Sequence, residues 1–347
     1  MIYVFFGILI VFLTILESQL KSKRFSYISL IYCSFFLILF AGLRDGVGTD
    51  WQAYLDFYNY KIDGNVEFGY RFLNNLFSEL SIPYNYYLLF INSISIGFIF
   101  YFLKKNSIYP IIGVLIFYSN LYLYFNFSGI RQAIAISITL YSLNFCINKS
   151  FSKFLSLIII ASLFHGSAFL FLSAYFIPRE KMSFKQIIFF GSLFLTLIIL
   201  ISSIADLITL YTSKSASYYL NVHEKSDSIL KFFIIGILIR SVIIIISIFN
   251  RKRLFLIPNS RYFFNIYLFG FIFYLATYLI SPDIGTRGAS YFLIIEIIIA
   301  GNIIHVLSNS LNRLMIVSIF SFIALYKLFG YMSYDTYKYN SIIFNII

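Results

Sequence analysis

Charge is what this chain has least of. Asp, Glu, Lys and Arg make up 12% of its 347 residues, where a soluble domain carries about a quarter. With 60% of the residues hydrophobic, the apolar surplus is too large for an aqueous fold to bury. Cysteine is nearly absent: Cys33 and Cys146 sit inside apolar runs with no ligand-like spacing, which gives no support to a disulfide framework or a thiolate metal centre. No Gly-x-Ser-x-Gly elbow, P-loop, His-Glu-x-x-His pair or Cys/His cluster occurs, so serine-hydrolase, ATPase and zinc-enzyme readings fall away. There is no low-complexity basic tail either. The formal charge of +12 is spread over short loops between apolar runs, a pattern of membrane topology and anionic-lipid contact rather than of nucleic-acid binding. Soluble-domain-sized inserts, linkers and obvious repeats are missing too, and residues 1–347 read as a single multi-span membrane domain.

What is there is a series of apolar runs of about 18 residues or more, each closed by polar residues, which predict transmembrane helices. They fall near residues 2–16, 27–43, 86–103, 109–125, 130–147, 154–177, 187–204, 232–249, 262–280, 289–306 and 314–331. The expected fold is an all-α polytopic membrane bundle of about 10–12 transmembrane helices. The first run has no basic residue before it and no small-residue cleavage site, and Lys21, Lys23 and Arg24 follow it. It reads as an uncleaved span rather than a signal peptide.

Loop charges orient the chain. Lys21/Lys23/Arg24, Lys104/Lys105, Lys149/Lys153, Arg179/Lys181/Lys185 and Arg251/Lys252/Arg253/Arg261 mark the cytoplasmic loops. The other set, at residues 44–85, 205–231 and 281–288 together with the segment after the last span, holds all the carboxylates except Glu17, Glu180 and Glu296, and is expected outside. One segment conflicts. Residues 154–177 lie between two basic loops, yet about 24 residues are too few to cross twice. Either they cross once against the charge rule or they form a re-entrant, broken hairpin, with the break at His165-Gly166-Ser167; the broken form is favoured. Within the loop 44–85, Leu73, Leu76, Phe77 and Leu80 share a helical face opposite Asn74, Asn75 and Ser78, which predicts a short helix lying in the outer interface or packed on the bundle.

Three arginines fall on the side where the charge rule expects few: Arg44, Arg131 and Arg287. A lone interfacial arginine is explained by snorkelling. Three, beside Asp45, Asp50, Gln132 and Asp283, point to a site for an anionic ligand, since the guanidinium is a permanently charged fork for phosphate oxygens. The Gly129-Ile130-Arg131-Gln132 turn adds backbone N–H groups at a helix start, with Ser128 as the expected cap. His165, beside Ser167, is the histidine within an apolar run far from a basic loop; either a buried neutral ring or a functional one suits it. His223 and His305 read as structural, and Arg240 with Glu296 as a buried ion pair. Most of the many Tyr and Phe belong to interfacial belts and helix packing, while Trp51, Tyr54 and Tyr291 near the outer mouth suit stacking on sugar rings.

Four stretches carry a family likeness. Arg44-Asp45-Gly46-Val47-Gly48-Thr49-Asp50 with Tyr54 and Glu67-Phe68-Gly69-Tyr70-Arg71-Phe72-Leu73-Asn74 resembles the opening of the EpsG-like, Wzy-type polysaccharide polymerases. Gly129 to Ala135, Ala161 to Ala168 and Arg287 with Ala289 to Phe292 are similar to their later motifs. Gly166 stands where a larger residue is often found. The resemblance implies a glycosyltransferase of the bacterial cytoplasmic membrane, with its active site facing outside. It would polymerise undecaprenyl-diphosphate-linked oligosaccharide units into O-antigen or a related surface polysaccharide. Activation resides in the diphosphate leaving group, so no cofactor is expected. The partners implied are the lipid-linked oligosaccharide, membrane lipids and a separate chain-length regulator. On that reading Arg131 and Arg287 hold the diphosphate, Asp50 or His165 takes the proton, and Arg44, Asp45, Tyr54, Gln132, Ser167 and Asp283 line the substrate site. A lipid-linked-oligosaccharide flippase, an O-antigen ligase and an acyltransferase are the rivals. Polar residues collected on one face, without inverted repeats, favour an enzyme over a transporter.

Overall fold

In a computed structural model, residues 2–61, 66–183 and 226–345 are described, with a few single positions between 184 and 225. The expected span at 187–204, most of the loop 205–231 and His223 lie outside the described residues. The described residues are mostly helical: α1 (Ile2–Leu20), α2 (Lys23–Gly42), α3 (Trp51–Tyr60), α4 (Phe68–Glu79), α5 (Tyr84–Asn106) and α6 (Pro110–Phe117) come first. A π-helix (Tyr118–Asn126), α7 (Ile130–Ile147), α8 (Phe151–Ser162) and a 3₁₀ helix (Gly166–Phe176) follow. Beyond residue 225 come α9 (Ser226–Phe249), α10 (Arg251–Leu254), α11 (Ser260–Thr277), α12 (Pro282–Leu293), α13 (Glu296–Val306) and α14 (Ser310–Met332). Six described helices are long and apolar enough to cross a membrane: α1, α2, α5, α7, α9 and α14. The protein is an all-α polytopic membrane protein.

Two compact units divide the chain, one of Met1–Tyr175 with Glu296–Ile347 and one of Phe176–Ile295. In the first, α1 packs on α14 and α6, α2 on α5, and α5 on α7. The end of α2 and the starts of α5 and α7 meet at one end of this unit: Asn85 donates to the carbonyls of Gly42 and Arg44, and Arg44 reaches the Phe127 carbonyl just before α7. Its other end carries the basic residues Lys21, Lys23, Lys104, Lys105, Lys149 and Lys153. There Glu17 is buried, and its carboxylate accepts the N–H of Ile111 (3.0 Å) in the first turn of α6, where Pro110 leaves no donor of its own.

The segment that conflicted with the charge rule is a broken hairpin. After α8 the chain turns at residues 163–165 and returns as the Gly166–Phe176 3₁₀ helix. Tyr175 donates back to the carbonyl of Lys149 (3.1 Å), and its ring lies 4.9 Å from Phe151. The chain therefore leaves the hairpin on the side where it entered. The tip is His165 with its neighbours.

The loop helix α4 exists, and its exposed apolar side matches the interfacial alternative rather than packing of that side on the bundle. Asn74, Tyr70 and Gly69 turn inward, while Phe68, Phe72, Leu76 and Leu80 are exposed. The expected apolar stripe through Leu73 and Phe77 is only half-buried. The run at 289–306 also differs from one continuous span. It starts earlier, at Pro282 behind the Ser281 cap, and breaks at Ile294–Ile295 ahead of Glu296. The Glu296 carboxylate then sits at a helix N-terminus, where the dipole favours an anion. It accepts from Asn120 of the π-helix (2.5 Å), whose amide oxygen accepts from Lys327 (2.9 Å). Arg240, in the second unit, lies 3.9 Å over the ring of Tyr274 and donates to the Gly236 carbonyl.

Candidate active site

Three of the sequence motifs converge on one carboxylate, that of Glu67, just before α4. Arg131 Nη1 donates to Glu67 Oε2 at 2.5 Å, and the N–H of Gly166 at the hairpin tip donates to Glu67 Oε1 at 3.3 Å. A second tie, from the N–H of Gly69 to the carbonyl of Leu163 (2.7 Å), fixes the tip against the start of α4. A Cβ on Gly69 would meet that carbonyl oxygen at 2.9 Å, so the approach requires glycine. Next to Gly166, His165 Nδ1 and the Ser167 hydroxyl are 2.7 Å apart, which holds the imidazole ring in place.

Arg131 opens α7, with Gly129 as the residue before the helix. Its side chain is about a quarter exposed, as is that of Glu67. Its Nε is buried with no hydrogen-bond partner, an unused charged donor of the kind an anion satisfies. Tyr54 of α3 lies within hydrogen-bonding reach of this guanidinium and packs 5.7 Å from Tyr70. Burial, with Tyr87, Tyr84 and Tyr54 close by, pushes the Tyr70 hydroxyl well above its ordinary pKa, so it stays neutral. Gln132 is buried beside Arg131.

Arg44 behaves differently from the expectation of a ligand-facing arginine. It is 0% exposed. Its Nε donates to Val47 O (3.1 Å), Nη2 to Phe127 O (3.1 Å) and Nη1 to Ala41 O. Its guanidinium lies 4.9 Å from the Phe127 ring and 5.2 Å from Trp51. Burial lowers its pKa from the usual value, opposed by Tyr84, Tyr122, Tyr3 and Tyr339, yet an arginine remains charged. The fork thus joins the end of α2, the turn after it and the segment before α7. Gly48 passes so close to Phe127 that a Cβ would strike the carbonyl oxygen, and its φ of +114° demands glycine as well. Trp51, expected to face sugar, is buried at 6% exposure against Tyr84.

Ser128 also departs from its expected role. No side chain caps α7. Instead the Ser128 hydroxyl accepts from the N–H of Thr49 (2.9 Å) and shares a hydrogen bond with Tyr337 (2.8 Å). Tyr337 belongs to the segment after α14, which straps the Arg44 turn. Asp45 N–H donates to Asn340 O (3.0 Å), Gly48 N–H to Thr336 O (2.8 Å) and Ile342 N–H to Leu43 O (3.0 Å), while Tyr339 stacks on Phe40 at 4.2 Å. Asp50 sits half-buried in this turn, its carboxylate accepting from the Thr49 hydroxyl (3.1 Å). Asp45 is half-buried beside it.

In the second unit, Arg287 and Asp283 are neighbours on α12, 3.8 Å apart and both well exposed. Asp283 occupies the first turn behind Ser281, whose hydroxyl accepts the N–H of Ile284 (3.4 Å), and the helix dipole stabilises an acid there. Tyr291, one turn on from Arg287, is fully buried.

The structure thus joins Arg131, Tyr54, His165 and Ser167 around Glu67, a residue whose sequence context was recognised but whose role was not. Arg44, Asp45 and Asp50 form the strapped turn next to it. The fold defines a class, a polytopic membrane protein, and one end of its bundle carries an arginine with an unused donor, a carboxylate and an imidazole, groups chemically suited to an anionic ligand and to proton transfer. The chain belongs to the EpsG family, whose model matches residues 27–341. That membership gives it a polysaccharide-polymerase-like, glycosyltransferase-type function in a membrane. No curated relative and no solved structure matches it.

Proposed function

We propose that the chain polymerises oligosaccharide units carried on a polyprenyl diphosphate, at the outer face of a bacterial cytoplasmic membrane. A hydroxyl of the acceptor unit attacks the anomeric carbon of the donor chain. The bond from that carbon to the diphosphate oxygen breaks, and the lipid diphosphate leaves with the electron pair. Arg131 steadies the departing diphosphate; Arg287, an exposed cation of the other unit, is tested on its own. His165 takes the hydroxyl proton; it is favoured over Asp50 because the hairpin tip meets the carboxylate that holds Arg131, whereas Asp50 bonds within the strapped turn. Glu67 positions both partners. Arg44 is assigned to the frame, not to substrate.

The observation that carries this reading is the convergence of Arg131 and Gly166 on Glu67, from segments far apart in sequence. Its test is the surface-polysaccharide profile of a deletion strain complemented with variants. Arg131→Ala and Arg287→Ala should each leave single units attached and abolish the ladder of longer chains. A normal ladder from both variants would refute the site. Loss of the single-unit product in the deletion strain itself would point to flipping or ligation.

A further inference from the structure

The exposed side of α4 is unlike that of the long helices. At 12 residues it is about 18 Å long, too short to cross a bilayer. It nonetheless presents Phe68 (60% exposed), Phe72 (56%), Leu76 (40%) and Leu80 (63%) as one continuous stripe. Its polar residue Asn74 is fully buried on the opposite side. A helix folding in water alone would be oriented the other way, so this face meets something apolar. Phe68 and Phe72 stack at 6.1 Å, and a groove of about 280 Å³ runs along Phe68, Arg71, Phe72, Asn75, Leu76 and Glu79. At its far end Glu79 is paired with Lys61 (3.0 Å), while Arg71, also lining the groove, has no ion pair among the described residues. An apolar track with one cation suits an anionic amphiphile.

Its place in the chain says which one. The stripe begins at the residue after Glu67, and Glu67 holds Arg131. An apolar track that opens beside an anion-binding arginine continues the same site. We infer that the α4 groove is the docking track for the prenyl chain of the lipid diphosphate, which lies along Phe68, Phe72 and Leu76 with Arg71 facing its phosphates. The inference rests on the polymerase reading for the identity of the lipid. It adds that the tail is held at a defined place rather than dispersed among bulk lipid.

The test uses the full-length protein in nanodiscs of phosphatidylcholine and phosphatidylglycerol, photolabelled with a diazirine-bearing polyprenyl diphosphate, with adducts mapped by mass spectrometry. Adducts should concentrate on residues 68–80 and be competed by undecaprenyl diphosphate but not by added phosphatidylglycerol. Labelling spread equally over the lipid-exposed sides of α1 and α14, or equal competition by phosphatidylglycerol, overturns the proposal. The double substitution Phe72→Ser with Leu76→Ser removes exposed side chains and so spares the fold. It should weaken undecaprenyl diphosphate binding about tenfold, the worth of roughly two buried methylene groups, and leave inorganic pyrophosphate binding unchanged. Unchanged affinity for the undecaprenyl lipid would overturn the proposal. An unchanged polysaccharide ladder in the deletion strain, with labelling still confined to residues 68–80, would remove the polymerase reading and leave the prenyl track standing.

Discussion

Replacing Arg44 separates a structural arginine from a substrate arginine. Three nitrogens of its guanidinium donate to carbonyls in three different stretches, at Ala41, Val47 and Phe127, and no solvent reaches the side chain. Arg44→Met removes all three donors and strands buried carbonyls. At about 1.5–3 kcal/mol for each charge-assisted bond, discounted for relaxation and for the apolar contacts that methionine keeps against Phe127 and Trp51, the loss should be about 3–5 kcal/mol. Arg44→Lys keeps the charge and one or two bonds, so about 1.5–3 kcal/mol is expected. For the methionine variant this corresponds to a melting temperature lower by roughly 6–20 °C, at the 2–4 °C per kcal/mol of domains of 150–250 residues. Thermal unfolding in detergent, followed by thiol-reactive dye or by size exclusion, reads it directly. The assignment of Arg44 to the frame is refuted if Arg44→Met melts within a degree or two of the parent protein yet makes no polymer. That outcome would return Arg44 to the substrate.

The strap after α14 gives two further predictions. Ser128→Ala removes the acceptor of the Thr49 N–H and the partner of Tyr337, so about 1–2 kcal/mol should be lost. Limited proteolysis should then cut the chain within residues 333–345 faster than in the parent protein; an unchanged rate argues against the strap. Gly48→Ala meets both the carbonyl of Phe127 and a forbidden φ. It should lower the amount of folded protein in the membrane sharply, whereas Gly46→Ala, with open space around it, should cost only about 1–2 kcal/mol, the strain of a positive φ in a non-glycine residue. Equal yields from the two would contradict the close approach.

The long helices were legible because lipid demands a length and an apolar composition that few other environments do. The span at 130–147 coincides with α7, and those at 27–43 and 314–331 lie within four residues of α2 and α14 at each end. The hairpin was foreseen from the charge pattern, and its break from the small, polar His165-Gly166-Ser167. What stayed hidden depends on tertiary pairing. Nothing local in Ile294-Ile295 marks a break, which coincides with Glu296 receiving Asn120. The π-helical turn has the same hydropathy as an α-helix would. The apolar stripe of α4 is visible in the sequence, but which way it faces is set by tertiary packing: Asn74 is fully buried while Phe68, Phe72, Leu76 and Leu80 are exposed. In the site, the arginines were visible as rare charges, but which one faces a ligand is set by burial. Arg44 and Arg131 look alike in sequence; one is enclosed by carbonyls and the other keeps an unused Nε. Glu67 lies in a recognisable motif, but nothing local distinguishes its carboxylate from a solvated one in an exposed loop; its role appears only where Arg131 and Gly166 meet it.

The most direct measurement of the central claim uses the purified protein with polyprenyl-diphosphate-linked repeat units and no nucleotide sugar. The parent protein should lengthen the glycan and release one polyprenyl diphosphate per bond formed. Arg131→Ala should do neither, and the charge exchange Glu67→Arg with Arg131→Glu, which restores the ion pair but reverses the side facing the diphosphate, should fail as well. Recovery of elongation by the charge exchange would make the pair merely structural. Elongation that requires a nucleotide sugar, or that proceeds undiminished in Arg131→Ala, would contradict the proposed reaction and its site.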